Sequence, residues 1–159
     1  MTAPADDLPP EGRLVGAEHR YPVRVYYEDT DLSGVVYHAN YLRWMERGRT
    51  EMLRCVGIDH AGSVAAGEGG YAIAEVTLRY RVPARLDDAL VVTTSVAQVR
   101  AASLLIQQRV SRGAVVLVEA DLVAALVAPD GRPRRQPRAW LDRYRALIQN
   151  DHAGREVPR

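Results

Sequence analysis

Hydrophobic spacing changes its period along the chain, and each change marks an element. Over residues 21–28, Val23, Val25 and Tyr27 alternate with Arg24, Tyr26 and Glu28, which predicts a strand. Over 40–56 the period becomes helical. Tyr41, Trp44, Met45, Gly48, Met52, Cys55 and Val56 share one face, and Arg43, Glu46, Arg47, Thr50 and Arg54 the opposite one. Gly48 costs this helix about 1 kcal/mol relative to alanine. Its place inside the apolar stripe predicts close packing against something flat, such as a sheet. Asn40 is the expected N-cap and Gly57 the expected stop.

Residues 59–70 read as a connector ending in Gly67-Glu68-Gly69-Gly70; with no lysine after it, this is a plain loop and not a phosphate cradle. Four strand-like segments follow. In the first, Ala72, Ala74, Val76, Leu78, Tyr80 and Val82 alternate with Ile73, Glu75, Thr77, Arg79 and Arg81. Segments 89–99 and 102–110 are rich in Val, Thr, Leu and Ile. Segment 115–127 sets Val116, Val118, Ala120, Leu122, Ala124 and Leu126 on one face. A short helix over 138–148 closes the domain. The expected organisation is a loose Pro-rich tail over 1–18, one domain over 19–148 and a polar tail over 149–159.

Strand, long helix and then successive strands predict an α+β fold: a mostly antiparallel sheet with a helix on one face. One helix cannot cover both faces and both edges, so association through an edge or the bare face is expected.

Composition narrows the function. At 159 residues the chain makes one ordinary domain. A net charge of +1 gives no global field for nucleic acid or an anionic membrane. All 21 basic residues are arginine, so Schiff-base chemistry and a P-loop lysine are excluded. A single cysteine, Cys55, allows no internal disulfide and implies a reducing compartment. The start of the chain lacks the basic-then-apolar pattern of a signal peptide, and no apolar run nears the ~20 residues of a membrane span. A cytoplasmic location without membrane insertion is expected.

Between the first strand and the helix, the run from Tyr26 to Tyr41 crowds Glu28, Asp29, Asp31, Gly34 and His38 together. Crowded acids raise one another's pKa, and a helix start is partly positive. Carbonyl chemistry needs both a base or nucleophile and a place for negative charge to develop. Ser33 lacks the surroundings of a serine nucleophile elbow. His19, His60 and His152 show no metal-ligand spacing with His38, so no metal site is expected.

The run Tyr27-Glu28-Asp29-Thr30-Asp31-Leu32-Ser33-Gly34-Val35-Val36-Tyr37-His38-Ala39-Asn40-Tyr41, with Trp44-Met45-Glu46-Arg47 and Arg49-Thr50-Glu51, resembles the hotdog-fold acyl-CoA thioesterases. The nearest branch is the Tol–Pal-associated thioesterases, relatives of 4-hydroxybenzoyl-CoA thioesterase. The resemblance implies a long central helix wrapped by a curved antiparallel sheet. It also implies a homodimer with a continuous sheet, two such dimers forming a homotetramer, and active sites at the subunit interface. Acyl-CoA is the implied substrate, with acyl carrier protein as a further candidate partner and no cofactor.

Carried over by residue, the catalytic carboxylate falls on Asp31, with Tyr27 and His38 beside it, and the backbone N–H groups that hold the thioester carbonyl fall around Tyr37 and His38. Asp31 activates water or attacks directly; otherwise it is a helix-cap residue. Tyr27 either bonds Asp31 or substrate, or is a core tyrosine. His38 orients water or the carbonyl, or caps the helix. Glu28 and Asp29 read as structural. Trp44 and Met45, together with a partner's strands, are expected to line an acyl pocket. Arg132, Arg134, Arg135 and Arg138 form a candidate contact for coenzyme A phosphates, or a solvated surface. Two rival functions are a hotdog acyl-thioester dehydratase and a non-catalytic module binding acyl-CoA or acyl carrier protein.

Overall fold

The structure, a computed structural model, describes residues 3–153. Arg13–Val15 (β1) and Glu18–Arg24 (β2) form a hairpin, and four longer strands follow: Gly70–Tyr80 (β3), Ala89–Val99 (β4), Ser103–Arg112 (β5) and Val115–Val127 (β6). All six join one antiparallel sheet in the order β1-β2-β4-β5-β6-β3. The first of the four long strands therefore does not pair with the next in sequence. β3 crosses to the far side of β6 and becomes an edge.

The helix Asn40–Cys55 (α1) lies across the concave face. Trp44, Met45 and Met52 are buried on its sheet-facing side, each such side chain contributing about 2 kcal/mol of hydrophobic burial. Gly48 is where the helix comes closest: a Cβ there would stand 3.1 Å from Val92 Cγ1 and 3.4 Å from Thr94 Oγ1. Beside it the buried Gln108 Nε2 donates to the Met45 carbonyl at 2.8 Å and to Thr94 Oγ1 at 2.9 Å, while its Oε1 accepts from Arg49 Nη1 at 2.9 Å. The close approach expected at Gly48 is thus observed, and a polar clamp fixes it.

Several boundaries differ from those expected. The segment before residue 18 is not uniformly loose, because β1 pairs with β2 through a Gly16–Ala17 turn and the His19 ring bonds the Glu11 carbonyl at 2.9 Å. The strand expected over 21–28 is Glu18–Arg24 instead, ending before Val25. Within 59–70, His60–Ala65 (α2) is helical, with the Asp59 carboxylate accepting from Gly62 N–H at 2.9 Å as N-cap. The last helix, Arg138–Ala153 (α3), runs past 148; residues 154–159 of the expected tail lie outside the described residues. α3 covers the sheet beyond the end of α1, through Tyr144 and Leu147.

β3 also departs from strict alternation. Ile73 pairs with Ala124 and Glu75 with Val123, so Ala74 is an extra residue, a β-bulge. Tyr71 and Ile73 stand opposite the buried Leu126 and Ala124, and Val76, Leu78 and Tyr80 opposite the buried Leu122, Ala120 and Val118. The inward face is therefore Tyr71, Ile73, Val76, Leu78 and Tyr80, and not the Ala72–Ala74 phase.

The convex face carries cross-strand ion pairs, Arg79–Asp121 at 2.9 Å, Arg81–Glu119 at 2.7 Å and Arg109–Glu18 at 3.0 Å. Such half-exposed pairs add little stability but make this a wetted surface. Apolar exposure concentrates instead on β3 (Ile73, Val76, Tyr80) and on the loop before α1 (Tyr26, Tyr27, Leu32, Tyr37). Among the described residues no helix is long and apolar enough to cross a membrane.

Candidate active site

The chain leaves β2 through a 3-10 turn, Tyr27–Asp29, in which the Asp29 carboxylate accepts from Tyr26 N–H at 2.7 Å. It then makes a tight loop closed by the Thr30–Val36 bridge, with Asp31 N–H on the Val35 carbonyl at 3.2 Å and Gly34 N–H on the Asp31 carbonyl at 3.0 Å. Gly34 has φ +78°, a backbone state that side-chain-bearing residues rarely adopt, which lets the loop reverse here. Val36 N–H then anchors the loop to the Ala84 carbonyl at 2.9 Å.

This geometry sets Asp31 on an exposed tip ahead of α1. Asp31 Oδ1 accepts from Ser33 N–H at 2.7 Å and from the Ser33 hydroxyl. Oδ2 has no hydrogen-bond donor among the described residues. The Ser33 hydroxyl, then the Ser33 N–H, and to a smaller extent the charge of His38, hold the Asp31 carboxyl below the usual carboxylate range. The group is thus an ionised carboxylate with one oxygen restrained and one open.

Asp29 has a different task. Its carbonyl accepts from Tyr37 N–H at 2.9 Å, and its Oδ1 from the buried Asn40 Nδ2 at 3.0 Å. The expected structural role of Asp29 fits these bonds. Asn40 is the first helical residue, following the cap position at Ala39, and its side chain reaches back to the loop instead of capping its own helix.

Tyr37 N–H is consumed by Asp29 and is not open to a substrate oxygen. The N–H groups of His38 and Ala39 have no protein acceptor among the described residues. The unpaired donors immediately ahead of α1 are therefore those of His38 and Ala39, one residue later than the expected pair. The His38 ring is exposed and packs edge-on against Tyr37, with centroids 4.6 Å apart. Tyr27 is 83% exposed, and its hydroxyl makes no hydrogen bond to Asp31 within the chain.

Other expected contacts separate from this loop. Trp44 and Met45, at 2% and 0% exposure, are buried in the core cluster between α1 and the sheet. A cavity of about 290 Å³ opens one to two turns further on, lined among others by Arg49, Thr50, Met52, His60, Tyr71 and Ile73. Sequence reading missed His60, Tyr71 and Ile73 as cavity walls; only the bulge at Ala74 brings Ile73 inward. His60 Nε2 accepts from Tyr71 N–H at 3.0 Å, tying α2 to β3. Arg132, Arg134 and Arg135 sit after β6, at the end of the sheet where Val127 pairs with Gly70. The Asp31 loop is at the other end of β3, where the Tyr80 hydroxyl donates to the His38 carbonyl at 2.9 Å. Along β3 the cavity walls Tyr71 and Ile73 stand seven to nine residues from Tyr80, while along α1 the wall at Glu46 is eight residues, about 12 Å, from His38. Among the described residues no three His, Cys, Asp or Glu side chains gather as a metal site would require.

Comparison with known proteins accords with this architecture. Residues 33–119 match the family model described as Thioesterase superfamily. The acyl-CoA thioesterase YbgC of Haemophilus influenzae is 42% identical over 107 residues, covering 67% of this chain and 79% of its own length. The acyl-CoA thioester hydrolase YbgC of Escherichia coli O6:H1 is 39% identical over 128 residues, covering 79% and 95%. A probable thioesterase from Bartonella henselae superposes with a TM-score of 0.71 at 36% identity, over 76% of this chain and 99% of that one. The 4-hydroxybenzoyl CoA thioesterase of Pseudomonas sp. strain CBS-3 shares the fold, with a TM-score of 0.74 at 21% identity over 79% and 98%. With its motif-bearing loop, central helix and wrapped sheet, the chain belongs to the thioesterase superfamily and has the hotdog fold.

Proposed function

We propose that this chain hydrolyses acyl-coenzyme A thioesters to a free acid and coenzyme A, with Asp31 as general base or nucleophile. The observation that carries this reading is the pairing of an ionised Asp31, one oxygen open, with two free N–H donors at the start of α1. As base, the open oxygen takes a proton from water while the water oxygen attacks the thioester carbonyl. As nucleophile, it attacks the carbonyl itself, and water then cleaves the mixed anhydride. In both routes the carbonyl oxygen becomes an oxyanion, and the N–H groups of His38 and Ala39, reinforced by the positive helix end, stabilise it. Collapse expels the coenzyme A thiolate, which takes a proton from Asp31 in the base route and from water in the nucleophile route.

The active unit is a homodimer joined through β3. An exposed edge strand carrying Ile73, Val76 and Tyr80 is a ready template for pairing. Antiparallel pairing of β3 with a second copy's β3 sets the Gly70 end of one beside the Tyr80 end of the other. Each cavity then lies against the neighbour's Asp31 loop, as an acyl pocket. The arginines at 132, 134 and 135 reach the same region, where they can hold coenzyme A phosphates. A tetramer of two such dimers and use of acyl carrier protein belong to the same reading. So does a cytoplasmic location, supported by a single cysteine that has no disulfide partner in the chain.

The test is thiol release from a panel of acyl-CoAs by the native protein and by Asp31→Asn. Turnover by the native protein, lost in the variant while its melting temperature and acyl-CoA binding persist, is the expected outcome. Binding without turnover on every substrate would move the protein to a ligand-holding role.

A further inference from the structure

The two peptide groups that present the free N–H donors are held differently from behind. The Tyr37–His38 peptide, which carries the His38 N–H, is fixed by its own turn: the Tyr37 carbonyl accepts from Asn40 N–H at 2.9 Å. The His38–Ala39 peptide, which carries the Ala39 N–H, lacks such a bond. In a continuous α-helix the His38 carbonyl would accept from Leu42 N–H. Here Leu42 N–H goes instead to the Ala39 carbonyl, at 3.2 Å. The vacated His38 carbonyl accepts from the Tyr80 hydroxyl, 2.9 Å away and 42 residues later in sequence.

We propose that Tyr80 is a positioning residue for the thioesterase reaction, fixing and polarising the His38–Ala39 peptide so that its N–H is aimed at the developing oxyanion. The inference rests on the reading of the helix start as the oxyanion site. A hydrogen bond accepted by a peptide carbonyl strengthens the N–H of the same peptide as a donor. It also limits rotation of the peptide plane, and oxyanion stabilisation depends on donors already aimed before reaction.

Tyr80 is built for this task. Its ring rests edge-on against Tyr41, centroids 5.7 Å apart, and the Tyr41 hydroxyl in turn accepts from Ala84 N–H at 3.0 Å. With the bulge at Ala74 absorbed, Tyr80 falls on the inward phase of β3, opposite the buried Val118. Although 51% exposed, its hydroxyl spends its hydrogen on the one carbonyl that the helix leaves free.

Tyr80→Phe keeps the ring and its contact with Tyr41 while deleting the hydroxyl. Losing an oxyanion donor outright costs about 100- to 1,000-fold in kcat. Here the donor stays and only its support goes, so kcat should fall roughly tenfold with KM within about twofold of native. A second readout is the carbonyl stretch of an acyl-CoA bound to Asp31→Asn, which should move toward its free-solution frequency in the Asp31→Asn, Tyr80→Phe double variant. A native kcat in Tyr80→Phe, a loss confined to KM, or an unmoved carbonyl stretch would overturn the proposal while leaving the site reading intact. Full turnover by Asp31→Asn would instead bring down the site reading, and the Tyr80 role with it.

Discussion

The Asn40 side-chain amide donates to the Asp29 carboxylate at 3.0 Å, joining the first residue of α1 to the 3-10 turn that precedes the acidic loop. Ten residues, including Asp31 and His38, lie between these two anchors, so the bond closes the loop at its base. Asn40 is buried, and a bond from a buried amide to a carboxylate contributes more than an ordinary one. Asn40→Ala should therefore cost about 2 kcal/mol, a fall in melting temperature of roughly 4–8 °C for a domain of this size. Activity should fall further than stability explains, since the loop then samples geometries in which Asp31 and the helix N–H groups no longer face one site.

Ser33 sets the acid limb of the reaction. Its hydroxyl and N–H favour the charged form of Asp31, and hydrolysis by either route needs that charged form. Rate should fall as pH drops through the Asp31 pKa. Ser33→Ala removes the largest depressing contact, so the acid limb of kcat/KM should move to higher pH while the plateau rate stays near native. An unchanged limb would mean that a different group governs it.

His19 makes stability depend on pH in a stated direction. It is fully buried under the N-terminal segment, with Nε2 on the Glu11 carbonyl and Nδ1 without a protein partner among the described residues. Burial holds its pKa below 6.5, opposed by the Glu11 bond and the charge of Glu51. The unfolded chain then binds a proton at His19 that the folded chain refuses. Stability should thus be lost as pH falls below the unfolded value and should level off once the folded pKa is passed. His60, lowered by the same cause, acts in the same sense. Melting temperatures of native protein and His19→Gln between pH 7.5 and 5 would check this: the native fall should be the steeper.

Legibility in the sequence followed the range of the interactions. Gly48 in an apolar stripe declared the helix–sheet contact, because helical period and glycine are both local signals. The loop from Tyr27 to Tyr41 was readable as a motif, and Asp31 emerged on its tip. What stayed hidden depended on partners far along the chain. Tyr37 N–H looked as available as its neighbours until the Asp29 carbonyl closed on it. Trp44 and Met45 were readable as apolar, but nothing local tells that they pack in one cluster with Val92 and Ala120. The extra residue at Ala74 was invisible in Ala72-Ile73-Ala74, where small and apolar residues fit either phase. That one bulge decides that Ile73 lines the cavity and Tyr80 meets His38.

The β3 edge offers the most direct test of the proposed assembly. Its backbone is paired on one side only, by β6, and Ile73, Val76 and Tyr80 leave apolar surface beside the open side. Val76 sits near the strand's middle, where antiparallel self-pairing brings two copies of the same residue close together. Val76→Asp would set two carboxylates near each other across that axis, and like charges so placed repel. In one chain, however, Val76 is partly exposed, so the fold tolerates the change. Sedimentation should report a dimer or larger assembly for the native protein and a monomer for Val76→Asp, with circular dichroism unchanged. Because the proposed acyl pocket is completed only across the β3 seam, the monomer should lose acyl-CoA hydrolysis almost completely despite an intact Asp31 and Tyr80. A fully active monomer would mean that one chain holds the whole site, and that the acyl group binds somewhere other than this cavity.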